Sequence, residues 1–221
     1  NYIALCSFLY HIVADRSGRT ESFLGVVVAE VGFAPGGRNP DGGESGGTTS
    51  SFGWFEKDDA AAAVSFARAP GVWDERFAGH EAPALCVGLG VASRRRVIAL
   101  ERFAGPRLKR VARPDVDGCS ARAFSRTGPR LESALDLPRL LERLRARGAP
   151  RLRVSKSAGG YVCEHLYHHL LSRAQPRGIP ALFVHVLPVA RMPLERQLEV
   201  LQWLIEEAAP LRAQSSRTRR G

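Results

Sequence analysis

Lysine is nearly absent from this 221-residue chain: it occurs only at positions 57, 109 and 156, so the other 29 of the 32 basic residues are arginine. The formal charge of +10 would suit a phosphate-rich partner. Surfaces built for nucleic acid, however, combine cations with interleaved aromatic rings. No such motif accompanies the charge, which excludes a dedicated nucleic-acid partner. Long apolar runs are also missing. Tyr2 to Val13 and Phe23 to Ala29 are the longest and fall short of the roughly 20 residues that cross a bilayer, so no membrane partner is expected. The four cysteines, at 6, 86, 119 and 163, include no CxxC pair. That spacing argues against a disulfide scaffold or a zinc ribbon and indicates a reducing, cytoplasmic compartment. No internal repeat is present.

What is there suffices for one sizeable domain. The first 80 residues are weakly patterned and are expected to form a divergent part of the same domain. Phe23 to Ala29 reads as a buried strand. The Gly/Ser-rich stretch 34–53 reads as a loop, and Asp58 to Ala69 as a short helix. From residue 81 to 211 the pattern alternates between strand and helix. Ala84–Gly88, Arg96–Glu101, Leu152–Ser155 and Ala181–Leu187 read as strands. Asp136 caps a helix whose apolar face is Leu137, Leu140, Leu141 and Leu144, and Gly148 ends it. A second helix covers Tyr161 to Ser172. A third opens at Pro193 and aligns Leu194, Leu198, Leu201, Ile205 and Ala208. Residues 212–221 are expected to be a disordered basic tail. This order predicts an α/β fold, a three-layer α/β/α sandwich around a mostly parallel or mixed sheet.

Three chemistry-bearing residues fall at the ends of these elements. Cys163 lies in the first turn of the helix after strand 152–155, where unpaired N–H groups favour a thiolate. Ala158-Gly159-Gly160 permits a sharp strand-to-helix turn before it, analogous to a nucleophile elbow. His185, late in strand 181–187, is a candidate base, and Glu101, ending strand 96–101, a candidate orienter of that base. In an α/β sheet ligands sit beyond the carboxyl ends of strands, so the three are expected to converge on one edge. The bland alternatives are a buried structural cysteine, a satisfied core histidine and a solvated strand end. His165 and His169, one helical turn apart with His168 beside them, form a possible chelating pair, but no fourth ligand stands at a recognised spacing, so no metal is expected. The arginine runs Arg94 to Arg96 and Arg107 to Arg113 read as solvated surface.

Motifs sharpen this constellation. The stretch SKSAGGYVCEHLYHHLL from Ser155 to Leu171, ALFVHVLP from Ala181 to Pro188 and LGVASRRRVIALERFA from Leu89 to Ala104 resemble, in order and spacing, three segments of pyroglutamyl peptidase I, a cysteine peptidase family. The resemblance covers roughly residues 84 to 208. It implies Cys163 as nucleophile, His185 as base and Glu101 as orienting carboxylate, with a thioester intermediate. It also implies peptides with N-terminal pyroglutamate as substrates and no cofactor, and leaves open whether the protein forms a homo-oligomer. Phe33, Val91, Tyr161 and Val162 fall where the family lines its lactam pocket. The family's Asp, Arg and Asn around the nucleophile are Ser157, Gly160 and Glu164 here, and Gly36 replaces the second Phe of its N-terminal loop. A carboxylate at Glu164, next to Cys163, is expected to raise the pKa of the thiol. An inactive family member acting as a binding protein is the alternative reading.

Overall fold

A computed structural model describes residues 24–31, 50–53, 64–71, 73–74, 85–109 and 114–218. Its strands are β1 (Leu24–Val31), β2 (Ser50–Gly53), β3 (Leu85–Val91), β4 (Ile98–Glu101), β5 (Phe103–Ala104), β6 (Leu131–Glu132), β7 (Leu152–Ser155) and β8 (Ala181–Val186). Its helices are α1 (Ala121–Phe124), α2 (Leu137–Ala146), α3 (Val162–Ala174) and α4 (Leu194–Thr218), with a 3-10 turn at Gln175–Arg177.

Six strands form one mixed sheet in the order β2-β1-β3-β8-β4-β7, and β5 and β6 form a separate two-stranded ribbon. The pairs β3–β8 and β4–β7 are parallel, whereas β1–β2, β1–β3 and β4–β8 are antiparallel. The central strands β3, β4 and β8 are apolar almost throughout, as strands covered on both faces must be. Alternation along each strand then assigns its side chains to two layers. Leu85, Val87, Leu89, Ile98, Leu100, Leu182, Val184 and Val186 pack with α2 and α4. Cys86, Ala181 and Phe183 pack with α3 and α1 on the other face.

The sandwich and its helices follow the sequence closely. Asp136 caps α2 by accepting from Arg139 N at 3.1 Å, and Leu137, Leu140 and Leu144 are buried. In α4 the expected stripe of Leu194, Leu198, Leu201, Ile205 and Ala208 is buried. Gln197, fully buried beside it, ties that helix to the end of β8. Its Nε2 donates to the carbonyls of Leu187 and Met192, while its Oε1 accepts from Leu187 N.

Two expectations change. Of the helix expected over Asp58–Ala69, residues 64–69 form an open end and turns, and the rest lies outside the described residues. Asp115 explains this: its Oδ2 accepts from Phe66 N at 2.8 Å, removing that amide from any helical ladder. At the other end α4 runs to Thr218, into the segment expected to be a tail, because Leu211, Arg212, Ala213 and Gln214 are good helix formers. The expected loop 34–53 lies outside the described residues except for β2.

Candidate active site

His185 and Glu101 meet through strand parity. On β8, residues 181, 183 and 185 face the α3 layer, and on β4 so do 99 and 101. Because the two strands are antiparallel, Ala99 stands opposite His185 and Glu101 opposite Phe183. Glu101 and His185 are therefore diagonal neighbours on one face, within reach of long side chains. His185 Nδ1 lies 2.8 Å from Glu101 Oε1, and both side chains are almost wholly buried. This differs from the expected convergence on a shared carboxyl edge. The cause is the reversed direction of β8 relative to β4, which places the pair on a face of the sheet. Glu101 is no solvated strand end: its exposure is 0%.

Cys163 reaches the same face from α3. Gly90 stands opposite His185 in the β3–β8 register, and a Cβ placed on Gly90 would lie 3.2 Å from Cys163 Sγ. The glycine thus opens the seat that the sulfur occupies. Gly88 does the same for the Phe183 ring, whose Cδ2 would lie 2.6 Å from a Cβ there. Phe183 in turn packs edge-on to His185, with centroids 5.1 Å apart. A glycine inside a strand signals such close approach; reading β3 only as far as Gly88 missed it.

The surroundings of Cys163 favour the neutral thiol. Burial pushes Cys163 up to about 12, aided by the Glu101 carboxylate and only weakly by Glu164. Arg95 and the backbone N–H of Cys163 itself oppose the rise. The helix N-terminus therefore acts in the expected direction but loses to desolvation.

Glu164 is a smaller influence on the sulfur than its position suggests because it is engaged elsewhere. Its Oε1 accepts from Gly105 N at 2.6 Å, and its Oε2 accepts from Ser157 Oγ at 2.8 Å and Gly160 N at 3.3 Å. It is buried and pins the loop that delivers Cys163. Gly159 and Gly160 adopt φ of 106° and 78°, a region that favours glycine. The Lys109 side chain fills the space over Gly160, and Lys109 N donates to Gly160 O at 2.8 Å.

The arginine run divides in two. Arg94 and Arg96 are exposed, as expected. Arg95 corrects the solvated reading: its Nη1 lies 2.7 Å from Glu101 Oε1, and its side chain is 18% exposed. Tyr161 stands at the N-cap position of α3 with no side-chain cap; its hydroxyl donates to Pro114 O at 2.8 Å, with its ring edge-on to Phe66. Val162 is fully buried in the α3 layer. Val91, at the end of β3, packs with the opposite layer, so its side chain is not on the face that holds Cys163. Phe33 lies outside the described residues.

The three histidines of α3 diverge. His168 Nε2 lies 3.3 Å from Pro129 O, and His169 Nε2 lies 3.1 Å from Asp74 Oδ1. His165 faces the rings of Phe66 and Phe124. Burial, then the Arg126 charge, lowers it to about 4. Among the described residues no group of three or more His, Cys, Asp or Glu is placed to hold a metal.

A family model described as pyroglutamyl peptidase matches residues 58–197. Among solved structures, a mutant pyrrolidone carboxyl peptidase from the hyperthermophile Pyrococcus furiosus shares the fold. It is 23% identical with a TM-score of 0.58, covering 66% of this chain and 77% of that one. The pyroglutamyl peptidase I of Bacillus amyloliquefaciens is 25% identical with a TM-score of 0.56, covering 66% and 75% respectively. No curated protein matches the chain. With a buried His–Glu pair, a cysteine seated on the same sheet face and a family match over most of its length, this chain belongs to the pyroglutamyl peptidase family.

Proposed function

We propose that the protein is a cysteine-type omega peptidase that removes N-terminal pyroglutamate from peptides through a thioester. The observation that carries this reading is the contact between His185 Nδ1 and Glu101 Oε1. With the carboxylate accepting from Nδ1–H, the imidazole presents a basic Nε2 to the face on which Cys163 sits.

Surroundings that favour the neutral thiol call for deprotonation to accompany attack. Cys163 Sγ bonds to the pyroglutamyl carbonyl carbon while His185 Nε2 takes the thiol proton. The imidazolium, stabilised by Glu101, returns that proton to the departing amine as the C–N bond breaks. His185 then deprotonates a water that attacks the thioester, releasing pyroglutamate and restoring the thiol. Tyr161 and Val162 at the start of α3, with Phe33, are the residues proposed to border the lactam ring; Val91, whose side chain packs in the other layer, is no longer among them. The proposed setting is the cytoplasm, where Cys163 stays reduced. Among the described residues no helix is long and apolar enough to cross a membrane. Residues 1–80 and 81–211 are proposed to form one domain.

Release of fluorophore from a pyroglutamyl-aminomethylcoumarin substrate, lost in Cys163→Ala, is the expected result. Absence of turnover by folded wild-type protein would sink the proposal. Ser157, Gly160 and Glu164, standing where the family has Asp, Arg and Asn, favour one second reading, a family member that binds pyroglutamyl peptides with little turnover. Measurable peptide binding without hydrolysis would distinguish it.

A further inference from the structure

We infer that Arg95 is a fourth member of the catalytic group, a positioning residue that holds the Glu101 carboxylate against His185 and balances its charge beneath Cys163. The inference rests on the peptidase reading for its purpose, but not for its test.

Four observations support it. First, Glu101 Oε1 is shared: His185 Nδ1 approaches it at 2.8 Å and Arg95 Nη1 at 2.7 Å. Oε2 and Arg95 Nη1 are both buried without a hydrogen-bond partner among the described residues, so Arg95 meets Oε1 as an ion pair and both side chains act on one oxygen. Second, Arg95 is itself fixed. Its backbone N–H closes a turn onto Ala92 O at 3.0 Å, while Ala92 N donates to Val186 O at 3.1 Å. Arg191 Nη1 donates to the Arg95 carbonyl. Third, Arg95 Nη2 donates to Ser157 O at 3.1 Å. One guanidinium therefore links the triad carboxylate to the loop that delivers the nucleophile, a task that suits the rigid arginine fork.

The fourth is a charge count. When His185 takes the proton from Cys163, the group holds a thiolate, an imidazolium and a carboxylate, a net −1 in a desolvated site. Arg95 brings that sum to zero, and an unbalanced buried charge is costly. The other titratable groups facing this centre supply no cation. From α3 come Glu164, turned to the Gly105 and Gly160 amides, and Tyr167, whose hydroxyl donates to the Glu101 carbonyl at 2.8 Å. From β7, the residue opposite Glu101 in register is Ser155, which carries no charge. The direction of the Arg95 influence on the thiol, downward, agrees with the count.

The test is alkylation of Cys163 by iodoacetamide, followed on the Cys163 peptide by mass spectrometry between pH 7 and 10. It needs no peptide substrate, so a wild-type protein that fails to hydrolyse pyroglutamyl peptides would refute the proposed function and leave this test intact. Arg95→Gln keeps a donor for Ser157 O and removes the charge. It is expected to slow alkylation about tenfold or more at each pH, equivalent to one or more pKa units. Arg95→Lys keeps the charge and is expected to stay within a few-fold of wild type. Equal rates for Arg95→Gln and wild type, or a lysine variant as slow as the glutamine one, would overturn the charge role. If Arg95→Gln does not fold, the charge account requires that Arg95→Gln/Glu101→Gln, which buries no lone carboxylate, does fold. Failure of that double variant overturns it as well.

Discussion

Replacing Gly90 with alanine places a methyl carbon 3.2 Å from Cys163 Sγ and 3.1 and 3.2 Å from two carbons of the Phe183 ring. Optimal carbon contacts lie near 3.5–4.0 Å, so a neighbour must retreat by a few tenths of an ångström. Phe183 has little room to do so: it is fully buried, between Tyr167 at 5.8 Å and His185 at 5.1 Å, centroid to centroid. The sulfur, on a helix end with part of its residue surface open, yields instead. Overpacking of this kind costs about 1–3 kcal/mol, partly offset by about 0.4–1 kcal/mol from a less flexible unfolded chain. The net loss of stability is small, while displacement of the nucleophile is expected to lower kcat/KM about tenfold or more. Gly88→Ala is the internal control. Its Cβ would meet Phe183 at 2.6 and 3.0 Å and has no sulfur among its nearest contacts, so it is expected to cost more stability and to act less directly on the sulfur. Urea denaturation and turnover of pyroglutamyl-aminomethylcoumarin, measured on both variants, separate the effects. A Gly90→Ala protein with wild-type kcat/KM and wild-type Cys163 alkylation would refute the claim that this glycine seats the sulfur.

Glu164→Ala strands the amides of Gly105 and Gly160 and the Ser157 hydroxyl, all of which the carboxylate serves. A loss of about 2–4 kcal/mol is expected from the shift in the urea midpoint, given about 1–3 kcal/mol for an unsatisfied buried group. Glu164→Gln, which still accepts, should lose much less. His165 has its folded pKa depressed from 6.5 to about 4. It therefore contributes stability that is present above pH 6.5 and lost as pH falls through 4. The groups facing it are Arg126, His168 and His169, with Phe66 and Phe124 closing the site. His165→Phe should flatten the fall in urea midpoint between pH 6.5 and 4; an unchanged acid profile would contradict this.

Local features were legible where local physics governs. The cap at Asp136, the leucine face of α2 and the stripe of α4 depend on residues within a few turns of one another, and they appear as expected. The apolar strand expected over Ala181–Leu187 forms as Ala181–Val186 for the same reason. Residues 64–69, the described end of the expected 58–69 helix, depart from it because their outcome depends on Asp115, 49 residues from Phe66. Sheet order was equally hidden. That β8 runs parallel to β3 but antiparallel to β4 follows from packing, and it moved Glu101 and His185 from a shared edge to a shared face. Cys163, His185 and Glu101 stood out as the candidate site through motif resemblance, more than through residue types, and the fold brings His185 to Glu101. Arg95 was not, because nothing local distinguishes it from Arg94 and Arg96. Its burial depends on Glu101 pointing back toward it from the next strand.

The central claim is that Cys163 carries the pyroglutamyl group as a thioester. It is tested most directly by mixing the protein with a pyroglutamyl ester, quenching in acid and reading the Cys163 peptide by mass spectrometry. The account predicts a mass gain of one pyroglutamyl group on that peptide, absent in Cys163→Ala, whose turnover is also lost. Hydrolysis that persists in Cys163→Ala, or folded wild-type protein that forms neither adduct nor free pyroglutamate, would contradict it.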